Sequence, residues 1–276
     1  WFRQMKTKLK IAIRNALRNS TLSFAKLFGL SISFAVVLFA TGYALYETSF
    51  DKCVPDHDRI YRCLMEGRLS GQDVNFAVTS PEQAKAISSG IPEITEAIRV
   101  LSRGEATIEY GEESIQCGQY LFADDDFFSF FSIPVRTNYT NPLAAQNNLV
   151  IAKSLAQKYF GSVDAALNKT VKQDNENCII TGVFDDLPKN FHLQPKLVQS
   201  IKKSNPDNVG WGSQNYYTYF KTRSPVSNLD PINLKISKIV YTHYNSDGKI
   251  DGSKAKTWED LKYAPDFYVF YTAEPL

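Results

Sequence analysis

Residues 27 to 46, "LFGLSISFAVVLFATGYALY", run for twenty positions without a charge. As a helix rising 1.5 Å per residue this stretch is about 30 Å long, the hydrocarbon thickness of a bilayer. A cleaved leader has a shorter core of about 7–15 apolar residues followed by small residues at the cleavage site, whereas this run ends on Tyr43, Tyr46 and Glu47. A buried helix of a soluble protein would keep a polar side, and here the stretch is apolar on every face. The run is expected to be a retained membrane span, with Ser31, Ser33, Thr41 and Gly42 as small positions suited to helix packing.

Charge divides at this run. Residues 1 to 26 carry Arg3, Lys6, Lys8, Lys10, Arg14, Arg18 and Lys26 and no acid. Taking these seven from the 31 Lys and Arg leaves 24 bases against 29 acids in the rest of the chain, a net of −5 beneath an overall +2. Basic residues before the span and Glu47, Asp51, Asp56 and Asp58 after it place the N-terminus in the cytoplasm and everything from about residue 48 outside. In "LKIAIRNALRN", Leu9, Ile13, Ala16 and Leu17 share one helical face while Lys10, Arg14 and Arg18 line another. This is the pattern of a helix lying on an anionic leaflet, each base near the surface gaining about 1 kcal/mol. The membrane-interface residues are therefore Lys10, Ile13, Arg14, Leu17 and Arg18. The expected division is an interfacial helix over 1–26, a span over 27–46 and an outer module over 47–276.

The outer module alternates strand and helix patterns. "DRIYRCLMEG" alternates as a strand; "TSPEQAKAISSG" reads as a helix with Ser80 at its N-cap, Pro81 in first position and Gly90 at its end; a second strand follows at about Thr95–Ser102. "EATIEYGEESIQCGQYLFA" is a hairpin turning at Gly111. A second strand–helix–strand unit follows: "LVIAKSLAQKYFGS" ends its helix at Gly161, and a hairpin around Asp174–Asn177 feeds the strand Cys178–Phe184. "NYYTYFKT" and "DFYVFYTAE" are strands, and "PINLKISKIVYTHY" a helix. The class is α+β with mixed sheets, two β-α-β-type lobes plus a hairpin-rich insertion.

Chemistry-bearing constellations are few. Cys53, Cys63, Cys117 and Cys178 lie outside, where disulfides persist, but none forms a C-x-x-C pair; they read as buried apolar residues or one opportunistic bridge. Asp124, Asp125 and Asp126 precede "FFSFFSIPV" and are read as a helix start rather than a cation site. "HYNSDGKIDGSK" has His243 and Lys254 where a calcium loop needs acids, so it reads as an Asp-Gly turn. His57, His192 and His243 stand singly, and no nucleophile elbow or phosphate loop occurs. No catalytic, cofactor or metal residues are assigned, and a net acidic outer part argues against nucleic acid. The aromatic strand end, Tyr216, Tyr217 and Tyr219, is the candidate substrate or partner surface.

Taken together, "LKIAIRNALRNSTLS", the span, "YETSFDKCVPDHDRIYR", "NLVIAKSLAQKYFGSVDAALNKTV", "CIITGVFDDLPKNFHLQ" and "WGSQNYYTYF" resemble the opening of MacB/FtsX-type ABC transporter permeases, in the form common in Bacteroidetes. The resemblance covers residues 8 to about 222. It implies a non-catalytic permease subunit of the inner membrane, whose first span leads into a MacB-like periplasmic core domain and whose three further spans would follow Leu276. It also implies a cytoplasmic ATPase subunit, a self-dimer or second permease half, contact with membrane lipid, and for some members a periplasmic or outer-membrane partner. In the matched blocks Gly161 is expected to stop a helix, Gly182 to allow close approach within a strand, and Pro188 to break the chain after Asp185 and Asp186. A single-pass sensor or ligand-binding domain is the alternative that the topology of one span and one outer domain leaves open.

Overall fold

The computed structural model describes residues 5–8, 10, 11, 14, 18–69, 72–208, 210, 211, 213–244 and 268–276. The chain forms two compact units, Trp1–Phe50 and Asp51–Leu276.

In the first unit α1 (Ser20–Glu47) contains the whole uncharged run and buries none of its residues. Such a helix suits lipid rather than water, because only in lipid is a fully apolar surface already solvated. Ser31 and Ser33 return their hydroxyls to the carbonyls of Leu27 and Gly29, at 2.8 and 2.9 Å, so neither presents a free donor. Ahead of α1 the described positions 5–8, 10, 11, 14 and 18 are helical, and Lys10, Arg14 and Arg18 are exposed. Ile13 and Leu17 lie outside the described residues, so the apolar half of the expected interfacial face is not among them.

The second unit is built on a mixed sheet of eleven strands in the order β11-β1-β10-β3-β4-β9-β6-β8-β5, with β2 (Gln72–Phe76) on β1 and β7 on β3 and β8. The first strand–helix–strand unit is β1 (Ile60–Leu69), α2 (Gln83–Gly90) and β3 (Ile94–Tyr110). Between β1 and β3, antiparallel to both, lies β10 (Tyr217–Thr222), contributed from more than a hundred residues downstream. The crossover thus spans an inserted strand, as in split β-α-β arrangements. In the second unit β6 (Asn148–Ala152) and β8 (Glu176–Phe184) are adjacent and parallel, joined through α4 (Lys153–Phe160), α5 (Val163–Ala166) and β7 (Thr170–Gln173). Gly161, at φ 81°, ends α4 as expected. Asp174 and Asn175 both take positive φ, 52° and 63°, the two-residue geometry that matches strand twist in the β7–β8 hairpin. The edge strand β11 (Tyr268–Pro275) pairs with β1, and α6 (Asp230–Tyr244) packs beside α2 and β11.

Three local expectations are corrected. The strand expected at Thr95–Ser102 runs on as a single 17-residue β3, pairing with β4 (Glu113–Ala123) through a bulge between Ser102 and Glu105, where Gly104 sits at φ 77°. Arg103-Gly104 reads locally as a break, but the bulge absorbs it. Helix α2 starts at Gln83, not at Pro81: Thr79 is bridged to Tyr216, and the Ser80 hydroxyl accepts the Glu82 N–H at 3.2 Å, so residues 79–82 make a turn pinned to β10 before the helix begins. The acids before α3 (Phe127–Phe130) do not cap it by side chain. Asp124 accepts the backbone N–H of Arg99 at 2.6 Å and its guanidinium at 2.9 Å, and Asp125 accepts Lys202 Nζ at 2.6 Å, because cations from neighbouring elements lie closer than the helix end. Most of "HYNSDGKIDGSK", from Asn245 onward, falls outside the described residues.

Phe127, Phe128, Phe130 and Phe131 all lie in one core cluster with Val54, Tyr219, Phe191 and strand residues of β3, β4, β6, β8 and β9 (Leu197–Ser200), which explains the phenylalanine-rich sequence after the acids. Gly182 of β8 pairs with β5 (Val135–Thr137), and the Val135 and Val150 side chains fill the space that a Cβ would need there.

Candidate functional site

Of the three histidines read as solitary, His192 is the centre of a hydrogen-bonded chain. It begins at Asp51, the first residue of the second unit, separated from the end of α1 by Thr48, Ser49 and Phe50. Asp51 adopts φ 57°, a left-handed conformation that Asp tolerates better than most residues, and its N–H donates to the Asn190 carbonyl at 2.8 Å. Its carboxylate accepts the His192 backbone N–H at 2.9 Å and meets His192 Nδ1 at 2.8 Å. His192 Nε2 lies 2.8 Å from the Tyr219 hydroxyl on β10. A carboxylate only accepts, so Nδ1 carries a proton towards Asp51. Burial pushes the Tyr219 phenol well above its ordinary range, so it keeps its proton and donates to Nε2.

A second polar pair stands in register beside Tyr219. Arg62 of β1 stands opposite Tyr219 of β10 on one side and opposite Glu274 of β11 on the other. Its guanidinium donates to Glu274 through Nε at 3.0 Å and through Nη2. Burial opposes its charge, but Glu274 and the Tyr219 oxygen outweigh that and hold the guanidinium above its ordinary range. Asp51 and Tyr219 are 7% and 1% exposed, so the bonds from Asp51 through His192 to Tyr219 are largely shielded from competing water, whereas the Arg62–Glu274 pair is partly exposed. Phe131 and Phe191 wall the imidazole edge-on, with centroids 6.3 and 5.0 Å away.

A second polar cluster sits at the start of α4, whose N-cap residue Ala152 has no capping side chain. Asp186 supplies the cap from the loop after β8, accepting the Ser154 N–H at 2.8 Å and its hydroxyl at 2.6 Å, with Lys196 also on the carboxylate. Burial works against the charge, but these donors hold the carboxyl below its usual range. Lys153 pairs with Asp185 at 2.8 Å. The Asp185-Asp186 block before Pro188 is thus a helix-starting device.

Among the described residues no three His, Cys, Asp or Glu side chains gather as metal ligands. A cavity of about 190 Å³ beside the chain is lined mainly by Val54, Phe131, Ile133, Leu187 and Phe191 and offers an apolar wall. All four cysteines are free. Burial pushes the thiols of Cys63 and Cys117 up to about 12 and 11, and that of Cys178 upward as well, while burial and the nearby Asp51 carboxylate raise Cys53. Because thiolate is the reactive form, we expect iodoacetamide at pH 8 to label only exposed Cys53 in the folded protein and all four after denaturation, read by intact mass. Rapid native labelling of a second cysteine would contradict this burial.

Of the tyrosines expected to offer a surface, Tyr216 and Tyr219 are buried and Tyr217 is half-buried. Tyr219 points into the chain just described, so only Tyr217 has reachable area. Reading the sequence missed Asp51, Arg62, His192 and Glu274 as a group. They come from four segments, with 141 residues between Asp51 and His192, and no local spacing links them.

A family description, the MacB-like periplasmic core domain, matches residues 23–229. No curated protein matches the chain. Among solved structures, a domain assigned to a permease protein from Porphyromonas gingivalis superposes with a TM-score of 0.62 at 25% identity, covering 81% of this chain and 92% of that one. The periplasmic region of MacB from Actinobacillus actinomycetemcomitans aligns at TM-score 0.48 and 14% identity, covering 76% of this chain and 87% of that one. The extracellular domain of the ABC-type transporter YknZ from Gram-positive bacteria aligns at 0.45 and 15%, covering 71% and 89%. A family match that starts inside the apolar helix and runs through β10, joined to a mixed sheet shared with a permease domain, leads to one assignment: the chain belongs to the MacB-like periplasmic core domain family, the periplasmic part of MacB/FtsX-type permease-like proteins.

Proposed function

We propose that this chain is the N-terminal part of an ABC transporter permease subunit in the bacterial inner membrane. Its residues before α1 lie at the cytoplasmic leaflet, with Lys10, Ile13, Arg14, Leu17 and Arg18 at the interface, and α1 carries the movement driven by a separate cytoplasmic ATPase into the periplasmic domain. The domain then acts as a mechanical element for export or extraction of a substrate, and the chemistry of ATP hydrolysis belongs to the partner subunit. The observation that supports this reading is the continuous family match from residue 23 to 229, which takes in most of the apolar helix as well as the domain after it. The self-dimer or second permease half and any periplasmic or outer-membrane partner belong to the same reading, with Tyr217 as a reachable aromatic contact.

The full-length gene product, tagged and purified from native membranes in mild detergent, should bring down an ABC ATPase in near-stoichiometric amount. Its vanadate-sensitive ATP hydrolysis should rise when the pair is reconstituted. Repeated recovery of a histidine kinase, or of no nucleotide-binding subunit, would replace this reading with the sensor.

A further inference from the structure

The hydrogen-bonded chain Asp51–His192–Tyr219, with the Arg62–Glu274 pair in register beside Tyr219, joins parts of the second unit that the sequence keeps far apart. Asp51 belongs to the segment that follows α1, His192 to the loop after β8, and Tyr219, Arg62 and Glu274 to β10, β1 and β11. We propose that this chain is the link by which displacement of the membrane helix reaches the sheet, making the segment after α1 move as one body with β10, β1 and β11. The inference rests on the permease reading above and names the residues that would carry out its mechanical step.

Three observations support it. Only Thr48, Ser49 and Phe50 separate the end of α1 from Asp51, so little slack is available before the chain is engaged. Apolar side chains can slide past one another at small cost, but hydrogen bonds to a buried carboxylate, imidazole and phenol hold their partners to within a few tenths of an ångström. Asp51 is also held in a left-handed conformation by its own carboxylate and by the Asn190 carbonyl, and a residue stays there only when its surroundings over-determine it. Both ring nitrogens of the imidazole are used, and Phe131 and Phe191 pack edge-on against it. The arrangement is thus a connector.

The test uses the full-length permease with its ATPase in nanodiscs, spin-labelled at Lys52→Cys and Ser224→Cys in a background where the native exposed Cys53 is replaced by Ser. Lys52 is exposed beside Asp51, and Ser224 is exposed just past the end of β10. Pulsed electron–electron distance measurements should give one narrow distribution, unchanged between the nucleotide-free and the vanadate-trapped states. Tyr219→Phe removes the hydroxyl and keeps the ring; His192→Phe removes both nitrogens and keeps the aromatic contacts. Each should broaden the trapped-state distribution at least twofold while the near-ultraviolet circular dichroism of the fold persists. If both variants stay as narrow as the parent, or if the parent itself is broad, the link is overturned. Should His192→Phe fail to fold, Tyr219→Phe alone decides. Absence of ATP hydrolysis in the unmodified complex would instead remove the permease reading, and the nucleotide-free distance widths would still report whether Asp51, His192 and Tyr219 bind the segment to β10.

Discussion

Replacing Phe131 with alanine should lower the unfolding free energy by about 3–5 kcal/mol, a large fraction of the roughly 5–15 kcal/mol that holds a typical domain together. The ring is 1% exposed and lies where four others converge: Phe130 at 5.0 Å, Phe127 at 5.3 Å, and Phe191 and Tyr219 each at 5.4 Å between centroids. All four contacts are edge-on, the arrangement in which each aromatic pair contributes about 0.5–1.5 kcal/mol beyond its buried area. Collapse into the space left by the ring is restricted, because Phe127 and Phe130 sit on the short helix α3 while Phe191 and Tyr219 sit on a loop and a central strand. Urea unfolding of the detergent-solubilised protein, followed by near-ultraviolet circular dichroism, measures the loss. A change below about 1 kcal/mol would mean that the ring cluster is not the core it is taken to be.

Gly182→Ala should cost about 1–3 kcal/mol although it adds one methyl group to a strand. A Cβ at this position would lie 2.6 Å from Val135 Cγ1 and 3.2 Å from Val150 Cγ1. Both neighbours are β-branched with restricted χ1, so neither can swing its methyl away cheaply. The register between β6 and β8 shifts at Leu149/Val150, beside Gly182, so the sheet is already irregular where the added carbon would press. Val135→Ala in the same chain should recover most of the loss, and the double-mutant cycle should show a coupling of about 0.5–3 kcal/mol. Independent, additive effects would sink the steric account.

How far such features can be read from sequence depends on where their causes lie. The hairpin at Asp174-Asn175, the helix stop at Gly161 and the need for a residue without a side chain at 182 have local signatures: polar turn residues, a glycine after an apolar-periodic stretch, and a glycine inside a strand. The run of phenylalanines signalled a core anchor in the same way. By contrast, the three aspartates before it looked like a cap because caps are local, while their actual partners, Arg99 and Lys202, are brought in by β3 and by the turn after β9. Ser80 and Pro81 carried a helix-start pattern, yet the bridge from Thr79 to Tyr216 displaced the start to Gln83. In each of these cases a long-range contact overrode a local preference worth about 1 kcal/mol.

The sequence by itself determined that an uncharged twenty-residue run, flanked by bases before and acids after, is long and apolar enough to cross a membrane, and that alternating strand patterns and helical patterns follow it. Those conclusions rest on periodicity, length and charge, which depend on neighbours along the chain. Only the tertiary structure decided that β10 lies between β1 and β3, and therefore that Tyr219 faces Arg62 on one side and His192 on another. Strand insertion is settled by the burial of whole faces against one another. For that reason the partners of a buried phenol, an imidazole and a carboxylate cannot be read from the residues beside them, and the hydrogen-bonded chain from Asp51 to Tyr219 becomes visible only once the sheet is assembled.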